Sequence, residues 1–349
     1  MYYNLSLDKT EEYEDTTSSE ENLEEEQTAQ AKLICFCEDA IRLLNDEMML
    51  DKYPVSVRKA YGSEGFFSSI YDFVSTIIST AVNAVSSVAT WITKKIKSLI
   101  SIRKHKKQYR DQQFNRFVSI LNSISATDRA AVQNRLMSYS IQYMPSKDQY
   151  IQMCKGFSVL MRAITQQVDT YVAKDIHLFG MEKEAGQKAP SWILKLYEDP
   201  VSREMLLLFG IKYMDGTFQR QSVYNTMPSM TFGDLGYNSI QDIAVVHQAY
   251  NQHVWPQVRT LLVLRERFEA FERDLKEKKS QLSKAGASKI DKNACVASCK
   301  NVIISSKEAS KLVAYLSLDE EALDTRRAWL VEHGLKACGT IMSDASRPS

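Results

Sequence analysis

The stretch VRTLLVLRERFEAFERDLKEKKSQLS, residues 258–283, decides the fold class. Leu261, Leu264, Phe268, Phe271, Leu275 and Leu282 fall near heptad spacing, and Arg265, Glu266, Arg267, Glu269, Glu272 and Arg273 lie between them. Spacings of three and four place the apolar set on one helix face and the charges on the other. Gly286 closes the pattern. A second helix over about 292–316 packs back on this one, and a third over 320–333 stops at Gly334, so an antiparallel helical hairpin is expected over about 239–334.

Working outward, the rest of the chain agrees. Only 12 Gly and 7 Pro occur in 349 residues, too little turn chemistry for a many-stranded sheet. A hydrophobic fraction of 44% and a charged fraction of 25% suit a protein that buries a real core. Helix starts are written locally. Ser125 with Asp128, Ser146 with Gln149, and Ser239 with Asp242 match the capping box, and Asp199-Pro200 sets an acid at the N-cap with proline behind it. Phe114, Phe117, Val118, Leu121 and Ile124 mark one more buried face. Asp215-Gly216 predicts one small β-hairpin, and 221–237 reads as loop. The expected fold is mostly α, an elongated helical bundle with a disordered acidic N-terminus.

Charge is segregated along the chain. Residues 1–27 hold ten acids against Lys9 alone, a net of −9, and the first 64 residues reach −10. The whole chain is +1, so the remainder is +11. Residues 1–30 are too polar to repay the entropy of ordering, and a short helix with Leu33, Phe36, Ala40, Leu43, Leu44 and Met48 follows them. The division expected is an acidic leader over 1–64, an amphipathic helix with a basic end over 65–110, and a helical body over 111–349.

The middle segment is unusual. From Phe73 to Thr93 no residue is charged, about 31 Å of helix at 1.5 Å per residue, long enough to span a bilayer. Nine of these 21 residues are Ser, Thr or Asn, however, and they form a stripe through Ser75, Ser79, Asn83, Ser86 and Thr90. The opposite face carries Phe67, Ile70, Tyr71, Val74, Ile77, Ile78, Ala81, Val85, Val88, Ile92, Ile96 and Leu99. An amphipathic helix from Phe66 to about residue 107 is expected rather than a span. It turns basic at its end, with Lys94, Lys95, Lys97, Arg103, Lys104, Lys106, Lys107 and Arg110 as candidate contacts for nucleic-acid phosphates or anionic lipid heads.

Searching for chemistry yields little. Neither a phosphate-cradling glycine loop nor a dinucleotide fingerprint occurs. Cys295 and Cys299 share a helix face, but their spacing, with His333 and Cys338, departs from that of zinc fingers, and Cys35 and Cys37 point apart. No metal or cofactor is expected. Asp242 and His247 are five apart and share no face well, while His177 and His253 have no evident partner. No enzyme is expected. Six scattered cysteines and a start without basic and apolar signal regions suggest synthesis in a reducing cytoplasm.

At Gly62-Ser63-Glu64-Gly65 the sequence resembles the processing sites of internal head proteins of large tailed bacteriophages. In that family a prohead protease cuts after a glutamate two positions beyond a small or aliphatic residue, so the resemblance implies a cleavage site made by Gly62, Glu64 and Gly65. It extends over about the first 110 residues: acidic leader, junction, amphipathic helix, lysine cluster. It implies a virion protein made in the host cytoplasm, carried in the head interior as a precursor, ejected with the genome, and partnered by capsid or core proteins and DNA. The charge pattern fits such a role, since loss of a −10 leader leaves a cationic body suited to packing beside DNA. The alternatives are a membrane-interface protein acting through residues 66–102 and a helical scaffold for other proteins.

Overall fold

The computed structural model describes residues 24–25, 27–42, 70–100, 104–172, 176, 192–284 and 292–345. The fold is mostly α. Helix α1 covers 27–42. It is followed by α2 (Ile70–Ser98), α3 (Lys104–Ser123), α4 (Ala126–Ser138), α5 (Lys147–Thr170), α6 (Leu194–Glu198) and α7 (Pro200–Leu208). Then come α8 (Ile240–Ala249), a π-turn (Tyr250–Val254), α9 (Gln257–Lys284) and α10 (Lys292–Ala345). Two small antiparallel ladders complete it. Strands β2 (Ile211–Met214) and β3 (Thr217–Arg220) form the expected hairpin, with Asp215 and Gly216 at φ 53° and 78° as a tight two-residue turn requires. Strands β1 (Ser140–Ile141) and β4 (Met230–Thr231) pair Ser140 with Thr231.

The chain divides into two compact units built from interleaved stretches. One holds residues 1–106, 176–189 and 268–307; the other holds 107–175, 190–267 and 308–349. In the first unit α2 is the core helix. Ile77, Ile78, Ala81, Val85, Val88, Ile92, Ile96 and Leu99 are buried as the periodicity predicts, and Val82, Ala84, Ala89 and Trp91 are buried beside them. Four hydroxyls on its polar side bond back to the helix, and Ser79 also accepts from Lys279 at 2.7 Å. The Ser79, Thr80, Thr90 and Thr93 hydroxyls each donate to the carbonyl four residues back, at 2.7–3.0 Å. From α1, Leu33, Cys37 and Ala40 are buried, and Lys307 reaches Glu38 at 3.4 Å. Burial pushes the Cys37 and Cys299 thiols up, the first to about 12.

The second unit is built around α5. Tyr150, Met153, Cys154, Phe157, Leu160, Met161, Ile164 and Val168 are buried, the Tyr150 hydroxyl donates to the Leu323 carbonyl at 3.0 Å, and Gly156 lets α7 approach. A Cβ at Gly156 would lie 2.9 Å from the Met205 sulfur. The four helix starts form as read: Ser125 accepts from the Asp128 amide (3.1 Å), Ser146 from Gln149 (3.3 Å) and Asp199 from Ser202 (2.8 Å), and Ser239 with Asp242 makes a full capping box.

Several sequence expectations need correction. Of the helix expected over 66–107, α2 (Ile70–Ser98) and the start of α3 at Lys104 are helical, and residues 66–69 and 101–103 lie outside the described residues. The acidic N-terminal segment, expected to stay disordered through residue 30, is helical at 24–25 and 27–30. Helix α10 is one 54-residue element where two helices ending at Gly334 were expected. Gly334 is not a stop. A Cβ there would lie 2.7 Å from the Phe117 ring, so the glycine gives room for a buried aromatic to pack on the helix. The 221–237 segment, read as loop, is irregular except for a 3-10 turn at Tyr224–Thr226 and strand β4, and it packs inward: Tyr224, Phe232, Leu235 and Tyr237 are buried, and Tyr237 donates to the Pro145 carbonyl at 3.0 Å.

Candidate nucleic-acid interface

Helix α3 has two chemically distinct faces. Inward, Arg110 pairs with Asp324 and Lys107 with Asp111. Arg327, 1% exposed, reaches Asp324 at 2.7 Å and Asp111 at 3.4 Å, and its guanidinium lies 4.3 Å from the Tyr250 ring centre. His247 Nε2 is 3.3 Å from Asp111, and its ring stacks on Phe114 with centroids 3.9 Å apart. Lys107 sits 5.2 Å over the Trp255 ring. Three cations share two carboxylates in this network, and each cation has a carboxylate within reach, which is what allows such charges to be buried at all.

His247 and Asp111 show the limits of its chemistry. Burial, then the nearby Arg327 charge, lower His247 to about 4, so the ring is neutral at pH 7. With Nε2 turned to Asp111, Nδ1 is closed off from solvent and has no hydrogen-bond partner among the described residues. An Asp–His pair of this kind resembles part of a catalytic triad, but its free nitrogen faces no surface a substrate reaches.

Outward, α3 presents His105, Gln108, Tyr109, Gln112, Asn115, Arg116 and Ser119 at helical spacing, flanked by Lys104 and Lys106. Tyr109 is 61% exposed. The one acid of α3, Asp111, is turned inward and occupied by Lys107, Arg327 and His247. Every charge on the outer face is therefore positive, and amides and an aromatic ring lie between the charges. Such a surface offers cations to phosphates, amides to sugars and bases, and a ring for stacking.

The residues singled out from sequence are dispersed. Gly62, Glu64, Gly65 and Arg103 lie outside the described residues. Lys94 is exposed and lies 3.7 Å from Glu25, Lys97 is exposed, and Lys95 is only 5% exposed. Lys104 and Lys106 are exposed, while Lys107 and Arg110 serve the inward network. Sequence reasoning missed Gln108, Tyr109, Gln112 and Arg116. It also missed the charged residues of α10, where Glu308 accepts from the Phe218 amide (2.7 Å) and Asp319 takes Arg220 at 3.1 and 2.5 Å. The available signal was the isolation of Asp111 among the bases of α3, on the apolar side of its helix.

Compared with known protein families, curated proteins and solved structures, the chain matches none.

Proposed function

We propose that this chain is a non-enzymatic structural protein of a virion interior that contacts nucleic acid through the outward face of α3. One observation carries the reading: Lys104, Lys106 and Arg116 stand exposed with His105, Tyr109 and three amides, and the helix's one carboxylate is turned away and neutralised. The acidic leader and the Gly62–Gly65 junction support a precursor cut after Glu64, which keeps the protein near neutral until assembly. Capsid or core proteins and a prohead protease are the partners this reading requires.

The test is binding of the full chain to a labelled 20-base-pair duplex over a salt series. Apparent affinity should fall with salt, and replacing Lys104, Lys106 and Arg116 together by alanine should reduce the log–log slope by about 2–3, near 0.9 per lost phosphate contact. A slope unchanged by the triple substitution rejects the α3 contact. Mass spectrometry of assembled particles should find a peptide beginning at Gly65, and an intact amino terminus there rejects processing.

A second reading rests on α2. Its segment Ser75–Ser98 is long and apolar enough to cross a membrane, and its back-bonded hydroxyls lower the cost of hydrocarbon. Against it, 56% of that window is buried inside the protein. Co-sedimentation with anionic vesicles and no duplex binding would favour it over the first.

A further inference from the structure

A cavity of about 420 Å³ opens in the second unit between α3, α4 and α8. Its size falls within the roughly 300–1,000 Å³ of small-ligand sites. One side is apolar, formed by Phe114, Phe117, Val118 and Leu121 of α3 with Ile240 of α8. That side is held in place from behind. The Phe114 ring stacks on His247, with centroids 3.9 Å apart and 7° between the planes, and the buried Phe117 packs against Gly334 of α10. A flat guest therefore meets a fixed aromatic surface.

The other side is polar, and its chemistry is specific. Three amides, Asn122, Gln133 and Gln241, line it together with Arg129, the one charged residue among the described residues of the wall. Gln133 Nε2 donates to the Asn238 carbonyl at 3.1 Å. Arg129 donates to the Ile124 carbonyl from Nε at 3.4 Å and from Nη2 at 3.3 Å, and pairs with no carboxylate among the described residues. The acids in the first turns of α4 and α8 are engaged elsewhere. Asp128 accepts from the Ser125 hydroxyl at 2.7 Å, and Asp242 accepts from Lys147 and Ser239, each at 3.0 Å. Amides both donate and accept, so they suit the mixed edge of a nucleobase, whereas an alkyl chain offers them nothing. A lone guanidinium suits one phosphate. Asn122 stands three positions past Ser119 and seven past Asn115, so the cavity opens where the outward face of α3 ends.

We propose that this cavity takes one unpaired base of a single-stranded nucleic acid, with the ring against Phe114, the base edge on the amides and the adjoining phosphate on Arg129. The inference rests on the reading of α3 as a nucleic-acid contact and narrows its ligand to a strand whose bases are free to turn out.

The experiment uses the full chain with a labelled 12-nucleotide single strand, an abasic strand of the same length, and the 20-base-pair duplex, all near 0.1 M salt. Ala130→Trp fills the cavity from an exposed position on α4, and Arg129→Gln removes the cation but keeps a polar side chain. Each should weaken binding of the normal single strand about tenfold, the effect of one stacked base or one charged contact, and leave duplex binding within about twofold. The abasic strand, which keeps its phosphates, should bind wild type and Ala130→Trp alike. No loss on the normal strand with Ala130→Trp, or an equal loss on the abasic strand, refutes the cavity as a base site. The α3 contact stands in that case if replacing Lys104, Lys106 and Arg116 still weakens binding. A wild-type chain that binds neither strand nor duplex refutes both.

Discussion

His247 and Asp319 titrate over the same pH range with opposite effects on stability. His247 is lowered from 6.5 to about 4 by burial and the Arg327 charge, so the fold holds it neutral. Its contribution is complete above pH 6.5 and is lost as pH falls towards 4, because the unfolded chain takes up the proton first. Asp319 is raised from 3.8 to about 6 by burial, which outweighs the pairing with Arg220. The fold favours its protonated form, so that contribution is complete below pH 3.8 and is lost as pH rises to 6. Each is on the order of 3 kcal/mol, so in the unsubstituted chain the two nearly offset between pH 4 and 6. His247→Gln should leave a chain that gains stability, relative to wild type, as pH falls from 6.5 to 4. Asp319→Asn should leave one that loses it over pH 6 to 4. Urea melts across this range measure both, and parallel profiles for the three proteins would contradict the assignment.

At the scale of elements, the β2–β3 hairpin shows how a helix closes a sheet edge. With Met214 and Thr217 flanking a two-residue turn, Phe218 directs its backbone groups away from β2, towards α10. There its amide donates to Glu308 at 2.7 Å and its carbonyl accepts from the Tyr315 hydroxyl at 3.4 Å. Thr217 donates to Glu308 at 2.9 Å and accepts from Lys311 at 2.7 Å, and Arg220 grips Asp319. Glu308, Lys311, Tyr315 and Asp319 advance by three and four along α10, so one helix stripe serves one strand edge. Glu308→Ala would strand a buried backbone amide, at a cost of about 1–3 kcal/mol. Hydrogen exchange at Phe218 should speed up with it, whereas unchanged protection there would show that the clasp does not hold the strand.

For the whole molecule, charge and covalent continuity set the strongest constraint. A cut after Glu64 would sever the covalent link not only to the acidic tail but also to α1, whose Leu33, Cys37 and Ala40 are buried in the first unit. Loss of α1 after such a cut would expose apolar surface as well as shift the net charge by about ten. Chain trimmed to start at Gly65 should bind a hydrophobic dye more strongly than intact chain, or self-associate as it is concentrated. If the trimmed chain shows neither, α1 is not a structural cover. The same packing explains why burial, and not length, identifies α2: a bilayer-length apolar helix becomes an ordinary core helix when other chain segments cover its apolar face.

What the sequence by itself determined was local. The heptad residues of 258–283 are all buried, the capping pairs at Ser125, Ser146, Asp199 and Ser239 form, and Asp215-Gly216 turns a hairpin, because each depends on residues within a few positions of one another. Only the tertiary structure decided which bases of the Lys94–Arg110 run face solvent. Arg110 and Asp111 find Asp324 and Arg327 more than two hundred positions away, and no local spacing announces such a pairing. Gly334 was misread for a related reason. Its small size answers to Phe117 on another helix, so a residue that punctuates one chain segment in isolation served packing once the chain had folded.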